Sequence, residues 1–199
     1  MDILKGYQSE TEKANIKGAS VAQDGVVVNL LDFKEFSYIT PEKIATALSR
    51  LKRYCGNSPM SVAQHCIRGA EAFMLTGKPY LAYIFLHHES FTEAMGFGDI
   101  PGPVKAILGE SLKIHENKLE ETIARHYGFE YPFPREIKIM DKNLAQDEMT
   151  AMLNTNHSVS IMDENTAYRE FVKLHYKLVY ILREYYKIEV NDLTQCSLS

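Results

Sequence analysis

Thr40-Pro41-Glu42-Lys43-Ile44-Ala45-Thr46-Ala47-Leu48-Ser49-Arg50-Leu51 reads as a helix from its first residue. The Thr40 hydroxyl suits the free amides of a helix start, Pro41 suits the first turn, and Glu42 places negative charge at the positive helix end. Ile44, Ala47, Leu48 and Leu51 then recur at helical spacing and make one apolar stripe. The same pattern continues toward the C-terminus. A second helix carries Val62, Ile67, Ala70 and Phe73 and stops near Thr76-Gly77, and a third starts at Pro79 and runs through Leu86 to about Met95. A fourth spans about Pro103 to Gly128, with Ile107, Leu108, Leu119 and Ile123 as core positions. Pro132 and Pro134 break the chain before a fifth helix with Ile137, Met140, Leu144 and Met152. The last helix, from Asp163 to about Tyr186, buries Ala167, Phe171, Leu174, Leu178 and Leu182.

Upstream the periodicity changes. Asp24-Gly25 precedes Val26-Val27-Val28, the signal for a tight turn between short strands. The expected fold is therefore all-α, a compact helical bundle with a small N-terminal β-hairpin. No linker or low-complexity stretch divides the chain, so a single domain over 1–199 is expected, with 1–38 as hairpin and extension and 39–188 as helical core.

Composition narrows the function. At 199 residues the chain can bury a substantial core, and 45% hydrophobic with 24% charged residues is ordinary for a globular protein. A net charge of −4 argues against a large nucleic-acid footprint, while leaving room for a small phosphorylated ligand in a locally positive pocket. No long apolar run follows Met1-Asp2-Ile3-Leu4-Lys5, and none elsewhere is long enough to span a bilayer, so neither a signal peptide nor a membrane segment is expected. Cys55, Cys66 and Cys196 are odd in number and lack CxxC spacing. That usage fits a reducing cytoplasm better than a disulfide scaffold.

Several polar residues stand out against this apolar background. His65 falls near the apolar face of the second helix, where an inward histidine is either a hydrogen-bonded core residue or a ligand. His87-His88-Glu89 ends the run Tyr80-Leu81-Ala82-Tyr83-Ile84-Phe85-Leu86, and a buried charge there needs a partner or a metal. Asp141 lies between Met140 and Leu144 on an otherwise apolar face, as a ligand or as half of a salt bridge. Gly98-Asp99-Ile100-Pro101-Gly102-Pro103-Val104-Lys105 has two glycines and two prolines, so it is a stiff loop able to place Asp99 and Lys105 at fixed positions. Imidazoles and carboxylates of this kind suit a divalent ion that leaves coordination positions for water and a phosphate.

Together these strings resemble the HD superfamily of metal-dependent phosphohydrolases. The branch is the compact nucleotidase-like one, which includes bacterial 5′-deoxynucleotidases and phage-encoded dATP triphosphohydrolases. The resemblance runs from about Leu30 to Phe171. It is carried by Ile44-Ala45-Thr46-Ala47-Leu48-Ser49, Arg53-Tyr54, Ser61-Val62-Ala63-Gln64-His65, the Gly98–Lys105 loop and Asp141-Lys142. It implies an HD-type helical domain, hydrolysis of phosphate from a (deoxy)nucleotide as a 5′-nucleotidase or a triphosphohydrolase, and a homo-oligomer. It also implies a cytoplasmic setting, the host cytoplasm for a phage-encoded protein. The metal would be Mn, Co, Mg, Zn or Fe, held by His65, His88, Glu89 and Asp141. Glu93, Asp99 and Lys105 would be catalytic, with Arg53 and Tyr54 binding substrate.

The chain departs from the family at one point. The family's His-Asp doublet is replaced by His87-His88-Glu89, and Glu93 falls five residues after His88 where the family spaces the two by four. Either His88-Glu89 or His87-His88 would stand for the doublet. The alternative to an enzyme is a catalytically degenerate HD protein that binds a nucleotide or a partner.

Overall fold

The computed structural model describes residues 19–21, 27–29, 39–153 and 159–191. The fold is all-α. Strands β1 (Ala19–Val21) and β2 (Val27–Asn29) pair antiparallel, with Ala19 opposite Asn29 and Val21 opposite Val27. The Asp24-Gly25 turn expected between them lies outside the described residues. The helices are α1 (Pro41–Arg50), α2 (Val62–Leu75), α3 (Pro79–His87), α4 (Gly102–Tyr127), α5 (Arg135–Leu153) and α6 (Glu164–Tyr186), with a π-helical turn at Glu93–Phe97.

Local chemistry sets these boundaries. Thr40, Ser61 and Asp163 cap α1, α2 and α6 by accepting the amides of Lys43, Gln64 and Thr166. Gly128 closes α4 with φ 77°, a left-handed conformation that glycine adopts without strain. Helices α2 and α3 pack against each other, and α6 lies across α1, α2 and α3. The buried cluster joins Ile44 and Leu48 of α1, Ile67 and Phe73 of α2, Tyr83 and Phe85 of α3, and Phe171, Leu178 and Leu182 of α6. Among the described residues no helix is long and apolar enough to cross a membrane.

The structure corrects three readings of the pattern. The third helix ends at His87, well short of Met95. Ser90 N–H donates to His87 O three residues back, Glu93 N–H to Glu89 O four back, and Gly98 N–H to Glu93 O five back. The coil first tightens and then widens, which turns His88, Glu89 and Glu93 away from a single regular helix face. The second correction concerns α4. Ile107 is 83% exposed and Leu108 50%, because the helix breaks at Gly109 (φ 69°, ψ −151°) and buries apolar side chains only from Leu119 onward. Met152, expected in the core, is also exposed near the end of α5.

Gly69 sets the separation of α2 and α3. A Cβ built there would lie 2.1 Å from Cε1 of Phe85, whose side chain is fully buried. Alanine would improve helix propensity by about 1 kcal/mol. Overpacking a closed core costs about 1–3 kcal/mol, and Phe85 is fully buried. Gly69→Ala is therefore expected to lower the urea midpoint of unfolding despite the better helix former. An unchanged or raised midpoint would show that the two helices can separate without penalty.

Candidate metal centre

His65 is fully buried on α2, one turn in from the Ser61 cap. Its ring is clamped by two carboxylates from α5. Nδ1 lies 2.9 Å from Glu148 Oε1, and Nε2 lies 3.1 Å from Asp141 Oδ1. Asp141 and Glu148 are seven residues apart, two helical turns, so one face of α5 presents both.

His88 arrives from the end of α3. Its Nδ1–H donates to the Phe85 carbonyl at 2.6 Å, which leaves Nε2 as the bare ring nitrogen. That Nε2 lies 4.0 Å from the same Asp141 Oδ1 and 3.4 Å from Glu89 Oε1. Neither His65 Nε2 nor His88 Nε2 makes a hydrogen bond, and both are buried. One ligand atom each from His65, His88 and Asp141 falls within 4.8 Å of the others, a group able to hold a metal ion. The arrangement has the form of a metal site, with one ring nitrogen fixed by a hydrogen bond and the other turned inward. A ring nitrogen acceptor facing a carboxylate oxygen at 3.1 Å needs a proton or a cation between them.

Charge on these groups follows from their neighbours. Burial opposes a charged His65, but the carboxylates of Asp141 and Glu148 outweigh it and raise its pKa. Burial lowers that of His88, only partly offset by Glu89 and Asp141. Asp141 is held well below the usual carboxylate range: burial pushes the other way, and the two imidazoles prevail. Glu93 is pushed well above that range by burial and by the neighbouring Glu89 and Asp99, and its Oε2 is buried without a partner.

Site residues expected from sequence fall into two groups. His88, Glu89, Lys105 and Asp141 line a cavity of about 510 Å³. Glu89 sits beside the three-residue group, its Oε2 accepting the Thr92 hydroxyl at 2.8 Å. Lys105 pairs with Glu116 at 2.8 Å; burial works against its charge, and Glu89 and Glu116 outweigh that. Arg53, Tyr54, Glu93 and Asp99 do not line this cavity. Arg53 is buried between Asp99 at 2.9 Å and Glu148 at 3.4 Å, and Tyr54 donates its hydroxyl to the Ala145 carbonyl. Asp99 also accepts the Cys55 amide, bracing a turn in which Tyr54 and Cys55 both have positive φ. His87 faces the opposite side: its Nε2 meets His175 Nδ1 at 2.9 Å and its ring stacks on Tyr127. Of the two candidate doublets, His88 and Glu89 lie at the site, and His87 belongs to the core.

Sequence reasoning missed Glu148 and Arg68. Arg68 donates to Glu148 Oε1 at 3.2 Å and also pairs with Asp147, so Glu148 answers three basic groups at once. The available signal was the seven-residue offset from Asp141. No family model matches the chain, and no curated protein matches it.

Glu148→Gln retains the shape of the clamp but loses its charge. Removal of an outer-shell partner costs about 10–100-fold in metal affinity. That drop is expected for Co²⁺ or Zn²⁺ by titration calorimetry, with the helical circular dichroism unchanged. Equal affinities for wild type and variant would show that Glu148 does not orient His65 toward an ion.

Proposed function

We propose that this chain is a metal-dependent phosphohydrolase acting on a nucleotide, with His65, His88 and Asp141, joined by Glu89, holding a divalent ion. The observation that carries the reading is the pair of buried imidazole Nε2 atoms, free of hydrogen bonds, turned toward one Asp141 oxygen. The resemblance to the HD superfamily supplies the reaction type, and the cavity beside the cluster supplies room for a small ligand.

A bound divalent ion supplies Lewis acidity to a phosphoryl oxygen and lowers the pKa of water. The protein's own groups do the rest. His88 and Asp141 line the cavity, and Lys105 in the same wall is a cation for the charge that grows on the phosphate. Glu93 and Asp99 are the acid–base groups of the proposal, Glu93 with a buried carboxyl oxygen still free to bond. Arg53, bound to Asp99 and close to Glu148, positions these groups from behind. Tyr54 anchors the same turn to α5. The setting that goes with this chemistry is cytoplasmic.

Phosphate release from a panel of deoxynucleoside mono- and triphosphates, with Mn²⁺, Co²⁺, Mg²⁺, Zn²⁺ or Fe²⁺, tests the reading. Turnover is expected with at least one ion. His65→Ala and Asp141→Asn should each lower it by more than the roughly 100-fold upper range for outer-shell groups. The product distinguishes the two reactions, since a nucleotidase frees phosphate and a triphosphohydrolase frees the whole phosphate chain. A folded protein that binds nucleotide and turns over nothing with any ion would overturn the enzyme and leave the binding module.

A further inference from the structure

The stretch between Asp99 and Leu119 is tied to the protein only at its two ends. Asp99 is buried and held by Arg53 and by the Cys55 amide, and Leu119 is buried in the core. None of residues 100–118 is buried. Val104 is 40% exposed and Ile107 83%, although both stand at positions that a packed helix would cover. Among the described residues, the side-chain hydrogen bonds and ion pairs made by this stretch run only within it. The loop from Gly98 to Lys105 therefore fixes Asp99 and leaves Lys105 on an arm without packing.

Gly109 divides the stretch into two arms. Its φ of 69° and ψ of −151° lie in a region open almost only to glycine, and nothing packs where a Cβ would stand. Lys105 on the first arm and Glu116 on the second are about three turns, or about 16 Å, apart along an unbroken helix. Their charges meet at 2.8 Å, so the contact exists because the chain turns at Gly109. Both partners line the cavity, which His88, Glu89 and Asp141 line as well. Burial opposes the Lys105 charge, and Glu89 and then Glu116 outweigh it. The lysine thus answers one carboxylate of the site and one of its own helix. An unpacked arm, a glycine corner and a place at a cavity wall are what a closing lid requires, because a lid moves without disturbing the core.

We propose that residues 102–108 form a lid that turns on Gly109, latched by Lys105 to Glu116 until an anion at the metal centre takes Lys105 from it. The proposal rests on the metal-centre reading for where the anion binds, while the latch itself is tested without any ligand. Glu116 and the anion compete for one ammonium group, and the exchange draws the arm across the cavity. Removal of the Glu116 charge therefore frees the lid and strengthens anion binding. Loss of a merely structural contact would weaken anion binding or leave it as it was.

Hydrogen exchange read by mass spectrometry on the free protein, wild type and Glu116→Gln, tests the latch. An ion pair that is partly exposed is worth up to about fivefold in an opening equilibrium. Exchange in peptides covering residues 102–112 should rise about two- to fivefold in the variant, with peptides of α6 unchanged. Equal rates would overturn the proposal. So would an arm as protected as α6 in free wild type, the result expected if a second copy of the chain covers it. Inorganic phosphate added to the Mn²⁺-loaded protein tests the exchange of partners. Phosphate should slow exchange in the same peptides of wild type, and Glu116→Gln should bind it about two- to fivefold more tightly. That gain should vanish between Lys105→Met and the Lys105→Met, Glu116→Gln double variant, where simple repulsion by Glu116 would survive. Equal or weaker phosphate binding in Glu116→Gln, a gain that persists without Lys105, or no phosphate binding by Mn²⁺-loaded wild type would each overturn the lid. Closure on phosphate without turnover of any nucleotide would leave the lid standing and remove the hydrolase.

Discussion

The buried carboxylate of Glu148 is the constraint on which the site depends. It is 3% exposed and lies within reach of His65, Arg68 and Arg53, which come from α2 and from the turn that precedes it. A carboxylate desolvated to this degree is tolerable only when paired, and loss of one partner from a buried pair costs about 3–5 kcal/mol. Burial alone would raise its pKa; the His65, Arg53 and Arg68 charges lower it. This pairing seats α5 against α2. Because Asp141 is two turns away on the same face, the contact that satisfies Glu148 also delivers Asp141 to the far nitrogen of His65. The structural ion pair and the ligand geometry are therefore one arrangement.

The second half of the cluster depends on how α3 stops. A regular continuation of α3 would carry His88 and Glu89 around the cylinder at 100° per residue, and the apolar run before them leaves no polar face for them to join. The break after His87 releases this. His87 stays in the core against Tyr127 and His175, and His88 turns to donate to the Phe85 carbonyl. Phe85 is then shared by two tasks. Its ring fills the space Gly69 leaves on α2, and it packs at 4.3 Å between centres against His88. The close approach of α2 and α3 thus reaches the candidate metal centre through one aromatic side chain.

Much of this was legible in the chain, for identifiable reasons. Capped, stripe-bearing segments such as Thr40–Leu51 and Asp163–Tyr186 announce themselves because cap chemistry and periodicity agree. His65 and Asp141 stood out as polar residues on apolar faces. Glu148 did not, since Gln146-Asp147-Glu148 reads as a solvated helix face and its burial comes from tertiary contact with α2. The end of α3 was equally hidden: Phe91 and Met95 continue an apolar pattern past a point where the backbone leaves the helix. Ile107 and Leu108 misled for the opposite reason. They are apolar at helical spacing, but Gly109 interrupts the helix and its N-terminal half has no packed partner at those positions. Asp99 stood out on its glycine- and proline-bearing loop. Its hydrogen bonds to Arg53 and Cys55 could not be read from the loop that carries it.

The cavity has an excess of negative charge that bears on the whole arrangement. Glu89, Glu116, Glu120 and Asp141 line it, against Lys105 and Lys138. Arg53 and Arg68 are close in sequence to His65, yet they are committed to Asp99, Asp147 and Glu148 behind the cluster. The cavity therefore holds more carboxylates than its lysines can balance. Glu93 and Glu120, both raised in pKa by burial and by neighbouring carboxylates, register the same imbalance. A wall of this composition would repel an anionic phosphate if it acted alone. In the proposed reading, a divalent cation at His65, His88 and Asp141 would offset that repulsion where the phosphate would approach, with Lys105 at its side. Two features therefore meet at one position: an excess of carboxylates that a cation would balance, and two buried imidazole nitrogens without hydrogen bonds that could hold it.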